Sequence, residues 1–128
     1  MIIVTAAVIE NDDKILITQR KKGKKGGLLW EFPGGKLEEG ETPEECIIRE
    51  IKEELNIDIE VIDIFDVVFH RYTEFNMLML VYRCRLKGGE ITANEVEDFR
   101  WVTPLELNNY NFLEADVGVV QKIITKNI

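Results

Sequence analysis

The period of the apolar positions changes repeatedly along the chain, and each change marks an element. Residues 2–9 and 14–19 are runs rich in β-branched side chains, separated by the polar turn sequence Asn11-Asp12-Asp13. They predict a hairpin. Residues 21–27, Lys-Lys-Gly-Lys-Lys-Gly-Gly, read as a flexible basic loop. Trp30-Glu31-Phe32-Pro33 reads as a short extended piece leading into Gly34-Gly35, where the backbone must turn tightly or approach a ligand. The period then becomes helical. Ile47, Ile51 and Leu55 recur at i, i+4 and i+8 with Ile48 beside them, after Thr42 as N-cap, Pro43 at the first position and Glu45 to complete a capping box. A helix from there to about Leu55 is expected.

Residues 58–69 and 77–86 predict strands, the second so continuously apolar that both of its faces should be covered. Gly88-Gly89 is a loop, Asp98 to Val102 a short strand, and Thr103-Pro104-Leu105-Glu106 the start of a helical turn. Val119, Val120, Ile123 and Ile124 supply the buried stripe of a helix over about 114–125. With no repeat or second domain visible, the expectation is one α/β domain over residues 1–128, a mixed sheet between two helices.

The polar side of the first helix changes the picture from fold to chemistry. Glu50, Glu53 and Glu54 sit at i, i+3 and i+4, so a helix stacks their carboxylates on one side, roughly 100° around from the apolar stripe. Like charges so placed repel by a few tenths of a kcal/mol per pair. A hard divalent cation, Mg²⁺ or Mn²⁺, would turn that repulsion into a binding site. Arg49 lies four residues before Glu53 and is placed to pair with it.

Composition narrows the partners. Of 128 residues, 45% are apolar and 31% charged, as in ordinary globular chains. A net charge of −8, much of its acidity within residues 38–60, argues against gripping a nucleic-acid polymer and favours a metal site. Cys46 and Cys84 are too few for a disulfide framework, which points to a reducing cytoplasm and to core thiols. No run approaches the ~20 apolar residues of a membrane span, and Met1 to Val8 lacks the basic start of a signal peptide.

The spacing from Gly35 through Glu41, Arg49-Glu50-Ile51 and Glu53-Glu54 to Asn56-Ile57 resembles the Nudix box, the signature of hydrolases of nucleoside diphosphates linked to another moiety. Asn56 stands where the family usually has Gly, a mild departure because Asn tolerates a left-handed backbone. The resemblance implies an α/β/α sandwich and Mg²⁺- or Mn²⁺-assisted hydrolysis of a phosphoanhydride. It also implies Glu50, Glu53 and Glu54 as metal ligands, with the carbonyl of Gly35 adding an oxygen, and Glu41 meeting Arg49 or a ligating glutamate as support. The general base stays open between Glu53 and the loop residue Glu95, with Glu97 close enough to be the true equivalent.

Phe32-Pro33-Gly34-Gly35-Lys36 is similar to the mutator-type, MutT-like branch. That likeness implies phosphate contacts from Arg20 and Lys36, Phe32 near the base, and Asp116 reading the base edge, although an Asp there also suits a helix N-cap. His70, beside Arg71 and Tyr72, reads as a rim residue, and Tyr110 and Phe112 as walls of the pocket or of the core. The implied activity is conversion of a nucleoside triphosphate, an oxidised dGTP or a cytidine nucleotide among the candidates, to monophosphate and pyrophosphate. The alternatives are hydrolysis of ADP-ribose, a nucleotide sugar or a dinucleoside polyphosphate, and a non-catalytic nucleotide sensor. The expected partner is a small nucleotide, with no membrane, and the chain is a monomer or homodimer.

Overall fold

The computed structural model describes residues 1–126, so the last two residues of the expected domain lie outside the described residues. Strand β1 (Ile2–Asn11) turns into β2 (Lys14–Gln19) through Asp12 and Asp13, both at positive φ (50° and 64°). Short polar Asp tolerates that conformation, and two such residues make the turn whose twist suits a hairpin. The hairpin exists as expected, but its strands pair only at Glu10–Ile15 and Asn11–Lys14 before parting.

Beyond the split, β1 accepts two other neighbours. On one side it runs antiparallel to β4 (Gly34–Lys36), on the other parallel to β6 (Asn76–Gly88). Strand β2 instead pairs with β3 (Trp30–Glu31) and β7 (Asp98–Val102). The long strand β5 (Asp58–Arg71) closes the far edge against β6 with three register shifts. Gly34-Gly35 is therefore strand rather than turn. Glycine is needed there for close approach, since a Cβ on Gly34 would strike the backbone of Thr5.

Alternation along β1 and β6 builds two cores, one on each face of the sheet. Ala6, Val8, Met79 and Val81 point toward Val119, Val120 and Ile123 of helix α2 (Glu114–Lys126). Ala7, Ile9, Tyr82 and Cys84 point toward Ile47, Ile51 and Leu55 of helix α1 (Pro43–Leu55). The result is the expected α/β sandwich. Ile48 departs from its stripe neighbours, remaining 43% exposed because α1 turns that flank away from the sheet. A 3₁₀ turn (Leu105–Asn109) joins β7 to the stretch before α2. Among the described residues no helix is long and apolar enough to cross a membrane.

Helix α1 begins and ends on local chemistry. The Thr42 hydroxyl accepts from the Glu45 N–H at 3.1 Å, and the Glu45 carboxylate accepts from the Thr42 N–H at 2.8 Å. At the other end Asn56 adopts φ 60°, ψ 31°, and its N–H donates to the Lys52 carbonyl at 3.0 Å. A Cβ at this left-handed position is what Ala would pay for without the local bonding of Asn. Replacing Asn56 by Ala is expected to lower unfolding stability by about 1 kcal/mol, while Gly should match or exceed the native residue. Urea unfolding of the two variants beside the parent checks this.

Candidate active site

The helix sets its acidic row against β4, and Arg49 organises the meeting. Its Nε and Nη2 donate to the two oxygens of Glu41 at 3.0 and 2.8 Å. Nη1 donates to Glu50 at 3.0 Å and to Glu53 at 2.9 Å, and Nη2 reaches the carbonyl of Lys36 at 3.2 Å. A planar fork with five donors can serve that many acceptors, which a lysine could not. Hydrogen bonding to Arg49 pushes the Glu41 carboxyl down to about 2, and Glu41 in turn holds the guanidinium protonated. Glu41 also accepts from the Glu38 N–H at 2.9 Å, tying the loop before α1 into the network.

Opposite this network, Glu50 rests against Gly35 so closely that any Cβ on that glycine would collide with the carboxylate. The Gly35 carbonyl accepts from the buried Thr5 hydroxyl at 3.3 Å and, at a longer 3.8 Å, from the Cys46 thiol. Glu54 is mostly buried, and that burial, with the charge of neighbouring Glu50 and then of Glu31 and Glu95, raises its pKa far above the usual carboxylate range. The structure thus brings Glu50, Glu54 and the Gly35 carbonyl together. Glu53 turns instead to Arg49, and among the described residues no three acidic, His or Cys side chains already converge on one point.

This donor set fits a hard divalent cation. It consists of oxygens only, it crowds carboxylates whose repulsion a cation relieves, and it needs the space that a side chain at position 35 would fill. Glu50, Glu54 and the Gly35 carbonyl would hold the ion, with Glu53 joining by leaving Arg49.

The two loop carboxylates separate clearly. Glu95 lines a small cavity together with Glu54, Arg20 and Glu31. Its loop is docked on the end of α1, where the Asn94 N–H donates to the Glu54 carbonyl at 3.1 Å and the Thr92 N–H to the Leu55 carbonyl at 3.0 Å. The Glu97 carboxylate instead accepts from the Lys22 N–H at 3.1 Å.

A larger cavity of about 500 Å³ opens beside the acidic row. Arg20, Phe32, Lys36 and Asp116, the residues expected to contact the nucleotide, all line it, together with Glu31, Tyr72 and Met77. Phe32 is buried with its ring stacked on Phe112 (centroids 5.4 Å apart), so it presents only part of itself to the cavity. Tyr110 and Phe112 are not among the lining residues. Phe112 stands behind Phe32, and Tyr110 packs edge-on to Trp30 at 5.0 Å. His70 also stays out of the lining and abuts Tyr72 at 4.5 Å.

Asp116 is not the N-cap of α2 but a member of its first turn, 4% exposed and turned into the cavity. Burial first, and then the charge of Glu31, raise its pKa well above the ordinary value. A backbone hydrogen bond from Phe32 and the charge of Arg20 oppose that shift.

Glu31 is the residue the sequence reading missed. Burial raises its pKa, and Arg20, 3.4 Å away, opposes the shift. It lies on the seam where the larger and the smaller cavity meet, with Arg20 and Gly34. An acid between two aromatics, Trp30 and Phe32, was the available signal. Cys46 lies under the network, its sulfur 3.3 Å from the Thr5 hydroxyl, and burial pushes its pKa up, leaving an unreactive thiol.

The NUDIX domain model matches residues 1–123, and the chain belongs to that family. It is 32% identical over 123 residues to a CTP pyrophosphohydrolase of Escherichia coli K12, a match covering 94% of this chain and 90% of that one. Over 93 residues it is 38% identical to an 8-oxo-dGTP diphosphatase of Proteus vulgaris, covering 73% and 83%. The solution structure of a MutT Nudix hydrolase from methicillin-resistant Staphylococcus aureus is 38% identical, with a TM-score of 0.78 over 98% of this chain and 96% of that one. The protein is a hydrolase of the MutT-like Nudix kind.

The raised pKa of Glu54 carries a stability consequence. Its protonated form favours the folded chain, so its contribution is full below the free carboxylate pKa and is lost as pH rises through the raised folded value. Without added metal, thermal stability should therefore fall from mildly acidic toward alkaline pH. Mg²⁺ at one hundred times its Kd should restore about 2.7 kcal/mol at neutral pH. Glu54→Gln should lose both its share of the pH dependence and most of the Mg²⁺ response, read by thermal melts with and without the ion.

Proposed function

We propose that this hydrolase cleaves a nucleoside or deoxynucleoside triphosphate to the monophosphate and pyrophosphate with Mg²⁺ or Mn²⁺, with a base chosen by Asp116. The observation that carries the reading is the continuity of the 500 Å³ cavity with the acidic row through Arg20, Glu31 and Gly34. A nucleotide seated with its base beside Asp116 and Phe32 leads its phosphates past Lys36 and Arg20 to Glu50 and Glu54. A divalent cation held there would neutralise phosphate oxygens and make a nearby water a better nucleophile. Glu53 or Glu95 takes the proton of that water as general base. Arg49 keeps Glu50 and Glu53 aligned, and Glu41 keeps Arg49 aligned.

Base chemistry favours two substrates. A protonated carboxyl offers a donor and an acceptor side by side. Guanine oxidised at C8 presents an N7–H donor beside the O6 acceptor, and cytosine presents its amino donor beside N3. Unmodified guanine presents two acceptors at N7 and O6 and matches less well. The names of the relatives, a CTP pyrophosphohydrolase and an 8-oxo-dGTP diphosphatase, support the same pair. The free buried thiols Cys46 and Cys84 support work in a reducing compartment.

Pyrophosphate release measured across canonical and oxidised nucleotides tests the proposal, with oxidised dGTP and CTP expected ahead of dGTP and ATP. Absence of turnover with every triphosphate, in a protein that still binds Mg²⁺, rejects it. Glu53→Gln should reduce kcat by about 10³-fold with the melting curve unchanged, as loss of a carboxylate that serves as base or as metal ligand demands. Asp116→Asn retains a donor beside an acceptor, so it should keep kcat/KM within a few-fold. It should also abolish the rise of KM that deprotonation of Asp116 imposes at high pH, whereas Asp116→Ala should raise KM about 10-fold or more.

A further inference from the structure

The side of α1 that meets β4 begins with a thiol. Cys46, Arg49, Glu50 and Glu53 stand at i, i+3, i+4 and i+7, so Cys46 opens the row that carries the acids, one turn earlier. It is fully buried, yet it belongs to neither apolar core. Its neighbours are polar. The sulfur lies 3.4 Å from the Lys36 carbonyl, 3.8 Å from the Gly35 carbonyl and 3.3 Å from the Thr5 hydroxyl. Thr5 is buried as well, and its hydroxyl donates to the same Gly35 carbonyl at 3.3 Å.

The two side chains have one proton each to give. Hydroxyl to Gly35 and thiol to Lys36 is the arrangement that serves both carbonyls of β4 at once. The donors come from different elements, Thr5 from β1 and Cys46 from α1, so they tie the strand to the sheet on one side and to the helix on the other.

Strand β4 has little else to fix it. It is three residues long, begins with two glycines and pairs with β1 alone among the described strands. Glycine gives the backbone its greatest freedom, so the peptide plane after Gly35 can tilt and swing its carbonyl. Mg²⁺ is intolerant of such a swing, because it demands near-octahedral oxygens at about 2.0–2.1 Å, whereas Ca²⁺ accepts longer and more varied geometry.

We infer that Thr5 and Cys46 are positioning residues for the divalent cation. They set the direction in which the Gly35 carbonyl meets the ion and act through that carbonyl, giving the site its preference for a small ion. The inference deepens the metal-assisted reading and rests on Gly35, Glu50 and Glu54 as the cation site. Loss of an outer partner that orients a ligand weakens metal binding by about 10-fold or more.

Calorimetry of Mg²⁺ and of Ca²⁺, without nucleotide, tests this on the parent, Thr5→Val, Cys46→Ala, Cys84→Ala and Glu54→Gln. Thr5→Val keeps the branched shape and removes the hydroxyl. Cys84 is the other buried thiol, and its sulfur reaches only the Tyr82 carbonyl, at 3.7 Å, so its loss imitates the packing defect away from β4. Mg²⁺ should bind about 10-fold more weakly to Thr5→Val, with a smaller loss in Cys46→Ala because a thiol is the weaker donor. Ca²⁺ should lose less than Mg²⁺ in both. Cys84→Ala should melt at lower temperature with both affinities within about 2-fold of the parent. Thr5→Ser and Cys46→Ser retain a donor at each position and should recover Mg²⁺ binding. Should Thr5→Val fail to fold, Cys46→Ala and Cys46→Ser make the same comparison.

Unchanged Mg²⁺ affinity in Thr5→Val and Cys46→Ala, beside a clear loss in Glu54→Gln, overturns the positioning role and leaves the cation site standing. Equal losses for Mg²⁺ and Ca²⁺, or a matching loss in Cys84→Ala, would mean general loosening of the core and overturn it too. A parent that takes up neither ion overturns the cation site itself, and the inference falls with it.

Discussion

The arrangement of the acidic row depends on one guanidinium. Without Arg49, α1 would hold Glu50, Glu53 and Glu54 on adjacent turns with no cation between them, and Glu41 would lose its charged partner on the helix. The fork of Arg49 joins three separate pieces of chain: the loop through Glu41, the helix through Glu50 and Glu53, and β4 through the Lys36 carbonyl. Charged, bidentate bonding of this kind is stronger than a surface pair and sets direction as well as proximity. Glu54 stays outside that fork, and its pKa is raised by burial first and then by the charge of Glu50, a repulsion that a metal ion would relieve.

A second constraint is closeness of backbone. Strand β4 can lie beside β1 because Gly34 has no side chain to strike Thr5, and Glu50 can rest on β4 because Gly35 has none either. Those two contacts place a backbone carbonyl among carboxylates. They also bring the floor of the large cavity, from Thr5 through Asp116, next to the acidic row. Site and fold therefore share the same glycines, and a packing requirement and a chemical requirement cannot be separated there.

Charge then sorts the space around that row. In the proposed reaction a chain with net charge −8 handles a polyanionic substrate, and its cations stand at defined points around the two cavities. Arg20 sits at the seam of the two cavities, Lys36 on the large one, and Lys21 and Lys24 on the small one. Asp116 lies under the opposite pressure, since burial and the charge of Glu31 favour its uncharged form, which is the form that the proposed contact with a base uses.

Much of this was legible in the chain itself, for local reasons. The α1 start at Thr42, its left-handed end at Asn56, the Asp12-Asp13 turn and the spacing of the glutamates are all decided by neighbours a few residues apart. Periodicity likewise located β5, β6 and α2, because alternating or helical burial leaves its mark on sequence. What the sequence left open depended on distant segments. Gly34-Gly35 read as a tight turn or a ligand approach because the pairing of β4 with β1 is long-range, and the lysine loop looked loose because its closure between Arg20 and Leu28-Leu29 and its bond to Glu97 cannot be seen along the chain. The choice between Glu95 and Glu97 beside Glu54, the burial of Asp116 and the seam position of Glu31 needed three-dimensional packing. Proximity of residues remote in sequence, and the loss of water around them, are properties of the assembled fold alone.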